Sequence, residues 1–306
     1  MGIRFERKAV LAKIESSYGT DPTPTGGANA VLLRNVEVDI AQGDRIPRDI
    51  LRLGMGQVAM FLVGRRVTLT ATVDLAGSGA AGTAPPYGPL LRSCALAEAL
   101  TADTKADYTP IDSAQESCTI WFNLEGTLTK MVGCRGNAKL QLLKGKLPTV
   151  QFSFTGLWVS DTAVAYPSLT LTAWKDPVPV TKLNTPTFTL DSQAVVASSF
   201  ELDLGVSTAY RELINLKEVN IQDRLPSMKT SFEELAIGTK NFFAMIGGTS
   251  IALDIVHGTA AGNIVEITSA LLQVIDVKRG EDQKVAMLNL DGNFRIGSPD
   301  FTISVK

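Results

Sequence analysis

Histidine and cysteine, on which most metal sites and many nucleophilic mechanisms depend, are scarce in this sequence. Its 306 residues include one histidine, His257, and three cysteines, Cys94, Cys118 and Cys134, with no C-x-x-C pair. A zinc site or a disulfide framework needs more of these residues. We therefore expect free thiols, made in a reducing compartment, with no metal and no cofactor.

An excess of positive charge is also missing. The chain has 29 basic and 31 acidic side chains, a formal net charge of -2, and the two signs are interspersed. Proteins that grip nucleic acid usually carry a basic excess or a basic stripe, because their affinity comes largely from counterion release. The composition therefore disfavours tight non-specific binding to DNA.

Long apolar runs and catalytic motifs are absent too. No stretch approaches the roughly 18 apolar residues of a membrane helix, and the first 20 residues lack the apolar region of a signal peptide. G-x-S-x-G, H-E-x-x-H and P-loop motifs do not occur. The acidic pairs Glu233–Glu234 and Glu281–Asp282 fall in a strand and a turn, which does not suggest acid–base catalysis. The sequence thus predicts a soluble protein without catalytic residues, which is not an enzyme.

A glycine-rich motif of the kind found in dinucleotide-binding loops lies near the middle of the first half. Residues 77–82 read G-x-G-x-x-G, between the alternating run Val67–Leu75 and a helix-like segment. In dinucleotide-binding folds the helix begins inside the motif, so that its amides meet the pyrophosphate. Here Pro85 and Pro86 delay the helix to about Pro89, and the preceding strand is apolar on one face only. We expect a loop that leads into a docked helix and holds no cofactor.

Alternating apolar and polar residues predict a mainly β protein. The strand candidates in the first half are VLLRNVEVDI, VTLTATVDL, SCTIWFNLEG, GTLTKMVG, NAKLQLLKG, PTVQFSFTGLW and SLTLTAW. Those in the second half are SFELDLG, SMKTSFEELA, TSIALDIVHG, GNIVEIT, ALLQVIDVKRG, KVAMLNLDGNF and FTISVK. Helices are expected at RKAVLAKIESSYG, PLLRSCALAEAL and NFFAMIG.

The chain divides into two similar halves. The proline-rich segment KDPVPVTKLNTPT marks the boundary, which gives an N-terminal arm (residues 1–30), a first domain (31–176) and a second domain (177–306). GKLPTVQFSFTGLW, ending at Trp158, matches GEDQKVAMLNLDGNF, ending at Phe294. This match suggests an internal duplication. Chance similarity between two β domains is the alternative.

Two segments carry a resemblance to a known family. LAKIESSYGTDPTPTGGANAVLLRNVEVDI and LAGSGAAGTAPPYGPLLRSCALAEAL resemble the major tail (tail tube) proteins of long-tailed bacteriophages, of the Mu-like siphophage type, over about residues 8–125. The resemblance implies two tandem antiparallel β-sandwich (tail-tube-like) domains, each with one flanking α-helix. It also implies a structural virion protein, without catalysis, whose rings stack into a hollow conduit for genome ejection.

The resemblance further implies the partners. Family rings are six-fold or pseudo-six-fold, so a two-domain chain would form a trimeric ring, and a hexamer is the alternative. The chain would meet tape-measure, tail-tip and tail-terminator proteins, and double-stranded DNA only in transit through a polar to acidic lumen. It would touch no membrane and would assemble in the host bacterial cytoplasm.

Contacts between rings are expected from the arm and from residues 41–64. The candidate residues are Val10, Leu11, Ile14, Tyr18, Met55, Val58, Met60 and Phe61. The run GMGQVAMFLVG is apolar and bounded by glycines, so it fits a core strand equally well. Two other functions stay open, a non-enzymatic β-sandwich binding module and the tube of a phage-derived bacteriocin or secretion system.

Overall fold

The computed structural model describes residues 6–48, 50–51 and 54–306. Residues 1–5, 49, 52 and 53 of the predicted arm and stacking segment lie outside this description. The first half forms β1 (Lys8–Ile14), β2 (Ala30–Val31), β3 (Arg34–Pro47), β4 (Met60–Asp74), α1 (Gly88–Arg92), β5 (Leu96–Thr101), β6 (Lys105–Pro110), β7 (Cys118–Leu124), β8 (Thr127–Leu143) and β9 (Thr149–Ala163). The mainly β prediction is confirmed.

The second half is built in the same way, after a segment at 175–186 without helix or strand. It forms β10 (Thr187–Leu190), β11 (Gln193–Ala194), β12 (Ala197–Asp203), β13 (Val206–Leu213), β14 (Leu216–Arg224), β15 (Ser227–Glu233), a 3₁₀ turn (Phe243–Met245), β16 (Ile251–His257), β17 (Val265–Asp282), β18 (Val285–Phe294) and β19 (Thr302–Val305). All strand pairings described are antiparallel, as expected for alternating sequences.

Six pairings of the first half recur in the second half in the same order. The first set is β1–β2, β1–β7, β3–β4, β4–β9, β7–β8 and β8–β9. The second set is β10–β11, β10–β16, β12–β15, β15–β18, β16–β17 and β17–β18. Strands with the same place in the two sets are called corresponding strands below.

Two glycines mark the same place in both sets. Gly156 of β9 lies opposite Val67 of β4, and Gly292 of β18 lies opposite Met228 of β15. A Cβ at Gly156 would lie 2.6 Å from the sulfur of Cys134, and one at Gly292 would lie 2.7 Å from Leu272 Cδ1. Neither position has room for a side chain, so both halves need glycine where this strand crosses its neighbour.

One sheet of eight strands runs through both halves, in the order β3-β4-β9-β8-β12-β15-β18-β17. Its centre is the pairing of β8 with β12, from Lys139 opposite Asp203 to Leu143 opposite Ser199. We call this pairing the internal seam. One face of the sheet covers the main apolar core, whose largest buried side chains include Phe152, Phe154, Phe200 and Phe232.

A buried carboxylate fastens the first strand to the rest of the molecule. Glu15 follows β1 and is only 7% exposed. Its Oε1 accepts hydrogen bonds from Thr119 Oγ1 (2.7 Å) and the Gly133 amide (2.7 Å). Its Oε2 accepts from Ser117 Oγ (2.6 Å) and the Gly19 amide (2.8 Å). All four hydrogen bonds therefore converge on one buried group, which satisfies two backbone amides.

Two of the predicted helices are wrong in whole or in part. Residues 8–14 form strand β1, which pairs with β7 along its whole length. Ala9–Ala12 are buried on both sides of that strand, so the apolar run fills a sheet position rather than a helix face. In PLLRSCALAEAL only Gly88–Arg92 is helical, because Ala95 takes a positive φ of 59° and the chain turns into β5.

Two further segments differ from the expectation. NFFAMIG forms a 3₁₀ turn rather than an α-helix, with Phe242 buried against Phe232 at 5.0 Å between ring centroids. SLTLTAW contains no strand, and Trp174 instead donates its indole hydrogen bond to the Ala30 carbonyl at 3.1 Å. Both segments are fixed by contacts of an aromatic side chain, with Phe232 in one case and with Ala30, far away in sequence, in the other, and periodicity alone does not reveal such contacts.

Candidate assembly surface

The sheet face opposite the core is mostly polar, with a small apolar patch at Leu157, which packs against Val219. In β4 the side chains of Val67, Leu69 and Ala71 are buried, while those of Thr68 and Thr70 alternate with them on the other face. Carboxylates outnumber cationic groups on this polar face. The carboxylates are Glu37, Asp39, Asp74, Glu201, Asp203, Glu233, Asp276, Asp282 and Asp291, and the cations are Arg34, Arg66, Arg135, Lys139, Lys229 and Lys278.

The internal seam combines a backbone ladder with side-chain contacts on both faces. On the polar face, Lys139 Nζ lies 2.8 Å from Glu201 Oε1 and 3.9 Å from Asp203 Oδ2. The hydrogen bond from Lys139 to Glu201 raises the pKa of that lysine. On the core face Phe200 and Leu202 are fully buried. The two halves are therefore joined by pairing, charge and apolar packing together.

The outer part of the β3–β4 hairpin projects beyond the sheet and exposes apolar side chains. We call its described residues between 44 and 63 the outer hairpin. Asp44 to Pro47 pair with Val63 to Met60. Its exposed apolar residues are Ile46, Ile50, Leu51, Met55, Met60, Phe61, Leu62 and Val63. Exposed apolar surface in one contiguous segment is typical of a protein–protein contact.

The second half projects a hairpin from the corresponding place. β13 and β14 pair with each other between β12 and β15, which correspond to β3 and β4. Ile214 at the tip of this hairpin is 94% exposed, and its base packs Val219 against Val132 and Leu157. Sequence reasoning missed this tip, although the run LINL between two alternating strands was a visible signal.

The predicted ring-contact residues fall into two groups. Met55, Met60 and Phe61 are exposed on the outer hairpin, and Val58 is half-buried there. Val10 and Leu11 are buried within β1, and Ile14 is half-buried at its end. Tyr18 is 37% exposed, and its hydroxyl accepts a hydrogen bond from the Val219 amide. Burial raises the pKa of this phenol.

His257 has a structural environment. It is buried, and its Nε2 lies 3.1 Å from the Val178 carbonyl, so Nε2 carries the proton. Nδ1 then accepts from Thr185 Oγ1 at 2.9 Å. Burial lowers the pKa of His257. The ring thus links the boundary segment to β16 through two hydrogen bonds.

The glycine loop is docked on the second half. The Gly77 amide donates to Asn263 Oδ1 at 2.7 Å, and the Gly79 amide donates to the Gly262 carbonyl at 2.8 Å. These two amides are therefore already hydrogen-bonded within the chain. The helix that follows is five residues long and begins at Gly88, six residues after the motif ends.

Residues 6–48, 50–51 and 54–306 contain neither a cluster of metal-ligand side chains nor a membrane-spanning helix. Within these ranges no group of three or more His, Cys, Asp or Glu side chains is arranged to hold a metal ion. Among the same residues, no helix is long and apolar enough to cross a membrane. Cys94, Cys118 and Cys134 are buried free thiols. The surface features that stand out are thus the polar sheet face and the apolar hairpins.

Comparison with known proteins gives one match. The sequence model of a family described as phage tail tube protein matches residues 6–300, nearly the whole chain. A search of curated proteins finds no match.

Proposed function

From the premise that the chain belongs to the phage tail tube protein family and is a structural component of the virion tail, we propose that its copies close into rings that stack into a DNA conduit. The observation that carries this proposal is the eight-strand sheet with one polar face. Such a sheet can line a tube, because its apolar face is already covered by the core of its own subunit. The description of this family, phage tail tube protein, names a structural component and no enzymatic activity.

The polar face is the proposed lumen. Its hydroxyls, amides and surplus carboxylates would be hydrated and would repel DNA phosphates. A basic surface would instead bind the duplex through counterion release and slow its passage. The surplus of carboxylates supports a channel through which DNA moves during ejection into the host.

The size of the sheet favours three copies in a ring. Three copies of an eight-strand sheet supply twenty-four strands. At about 4.8 Å between strands and a tilt of about 40°, they would close into a barrel about 48 Å across, measured between backbones. This bore passes a duplex with space for water. Six copies would double the diameter to about 95 Å, far wider than DNA requires.

The recurring strand pairings support the proposed domains, residues 31–176 and 177–306. With two corresponding units per chain, a trimer would have pseudo-six-fold symmetry. The proposed arm, residues 1–30, would contribute β1 to the first domain, as β10 contributes to the second. The Mu-like siphophage type stays a proposal that rests on the two segments quoted above.

The outer hairpin is the proposed contact between rings. Met55, Met60 and Phe61 would be buried against the neighbouring ring, together with Val58 and the missed Ile46. Of the arm residues, Ile14 and Tyr18 retain partial exposure for such a contact, whereas Val10 and Leu11 stabilise the subunit itself. At the tube ends the same surfaces would meet the tail-tip and tail-terminator proteins, while the tape-measure protein would occupy the lumen during assembly in the host cytoplasm.

Negative-stain electron microscopy of the purified chain, with and without a tail-tip complex as initiator, tests this proposal. We expect rings or tubes with a central hole and three-fold class averages. Six-fold averages from six chains would overturn the trimer. Monomers at all concentrations, even with the initiator, would overturn ring formation by this chain.

A further inference from the structure

Two of the three cysteines lie directly opposite each other on neighbouring strands. Cys118 of β7 is the register partner of Cys134 of β8, and both residues are 0% exposed. Directly opposite residues of an antiparallel pair have Cα atoms about 4.5–5.5 Å apart, and a disulfide spans about 4.4–6.8 Å between Cα atoms. Opposite side chains also point to the same face, which here is the core. The two thiols are therefore placed for a disulfide that would close the β7–β8 hairpin.

The fold itself does not require sulfur at this place. β7 and β8 correspond to β16 and β17, in which Ile251 lies opposite Leu272, and both pairs stand beside a shift in register. A Cβ at Gly156 would meet Cys134, as a Cβ at Gly292 would meet Leu272. The second half thus fills the same core position with two aliphatic side chains. Packing alone does not account for a pair of thiols in the first half.

The buried carboxylate of Glu15 holds the backbone on both sides of this pair. It accepts hydrogen bonds from Ser117 Oγ and Thr119 Oγ1, which flank the first cysteine, and from the Gly133 amide, next to the second. Ile14, the residue before Glu15, is itself the register partner of the first cysteine in the β1–β7 pairing. Detachment of this end of β1 would therefore loosen the chain around both thiols.

The closed subunit disfavours reaction of the pair. Burial raises the pKa of the Cys134 thiol most, and the hydrogen bond with Cys118 and the nearby charge of Glu15 raise it further. The thiolate is the reactive form of cysteine, so thiols in such surroundings react slowly. Reaction needs the end of β1 to open, which moves the carboxylate of Glu15 away and admits a small molecule.

On this basis we infer that Cys118 and Cys134 form a thiol–disulfide site, reduced in the cell and oxidised in the released particle, with the contacts of Glu15 as its gate. A virion component leaves the reducing cytoplasm in which it is made. The oxidant is a small disulfide such as oxidised glutathione. One thiolate of the pair attacks a sulfur of the oxidant and expels a glutathione thiolate, and the second cysteine attacks the mixed disulfide and expels the other. The pair loses two electrons to the oxidant, and its two protons pass to the glutathione thiolates.

Thiol counting on the purified full chain tests the site. The chain is held in excess oxidised glutathione at about pH 8, in native buffer and in urea below the unfolding transition, and is then alkylated in denaturant and weighed. We expect three free thiols before oxidation and one, Cys94, afterwards, with a disulfide between the peptides of Cys118 and Cys134. Three thiols in both conditions, a bond to Cys94, a lasting glutathione adduct or covalent dimers would each overturn the proposal. The double variant Cys118→Ile with Cys134→Leu copies the second half and is the matched control, which should keep its single thiol.

The rate of oxidation tests the gate. Glu15→Gln weakens the contacts around the pair, so this variant should lose its two thiols at least several-fold faster than the unmodified chain in native buffer. Gly292→Ala disturbs the core of the second half instead and should oxidise at the rate of the unmodified chain. Equal rates for Glu15→Gln and the unmodified chain, or equal acceleration by both variants, would overturn the gating role of Glu15. None of these measurements depends on whether the chain forms rings.

Discussion

Glu15 offers the sharpest test of how the subunit is held together. The Glu15→Gln variant keeps the shape of the side chain but replaces one acceptor oxygen by an NH₂ donor. The new NH₂ group would then point at one of the two pairs of donors, either Thr119 with Gly133 or Ser117 with Gly19, and both donors of that pair would lose their acceptor. The hydroxyl of that pair can rotate, but the backbone amide cannot. A hydrogen bond to a charged group contributes about 1.5–3 kcal/mol, so we expect a loss of about 3 kcal/mol in the free energy of unfolding.

Urea denaturation of the full chain, followed by tryptophan fluorescence and circular dichroism, measures this loss. Ser117→Ala is the graded comparison, because it removes one of the four hydrogen bonds to the carboxylate and should cost about 1.5 kcal/mol. The double variant should lose less than the sum of the two single losses, since both act on the same carboxylate. A loss below about 1 kcal/mol for Glu15→Gln would refute the four-bond network in the folded protein.

Three further perturbations follow from the structure. Phe61→Ser should leave the subunit rings intact but shorten tubes in electron micrographs, because Phe61 is 56% exposed and burial of its side chain is worth about 2 kcal/mol per contact. Tubes of normal length would exclude Phe61 from stacking. Gly156→Ala and Gly292→Ala should each cost about 1–3 kcal/mol in thermal unfolding, whereas Gly238→Ala, with nothing near its Cβ, should be nearly neutral. Burial lowers the pKa of His257, so this side chain binds a proton more tightly in the unfolded chain than in the folded one. Its contribution to the free energy of unfolding is therefore complete above the unfolded pKa of about 6.5 and is lost as the pH falls from there through the folded pKa. His257→Gln should flatten the slope of stability between pH 7 and 5, and an unchanged slope would contradict the assignment.

The alternation of apolar and polar residues predicted the strands well where one face of the strand packs against the core and the other face contacts water. The run Val67–Asp74 is the clearest case, because each residue of this part of β4 lies on the face that its polarity indicates. The mainly β class and the tail tube family were confirmed for the same reason: both depend on segments whose signal is contained in neighbouring residues. The exposed apolar character of Met60 and Phe61 was open from sequence, and the structure resolves it as surface rather than core.

The sequence could not predict features that depend on distant partners. β1 looked helical because Val10, Ile14 and Tyr18 recur at the spacing of one helix face. It becomes a strand only because β7, more than 100 residues later, pairs with it. The internal seam is similarly invisible, since Lys139 and Asp203 meet only after both halves have folded. The apolar composition of the outer hairpin was therefore visible in the sequence, whereas the pairing of β8 with β12 was not.

The internal seam also bears on how fast rings could form. Because β8 and β12 belong to one polypeptide, their effective local concentration is set by the connecting chain and does not fall on dilution. Going around the proposed ring, every other contact between tube domains would thus already exist inside a folded subunit. To form the first ring, three subunits would then have to meet rather than six, so the rate of ring formation would depend less steeply on protein concentration. The covalent link also frees the two halves to evolve different outer surfaces while the lumen keeps its near-symmetry.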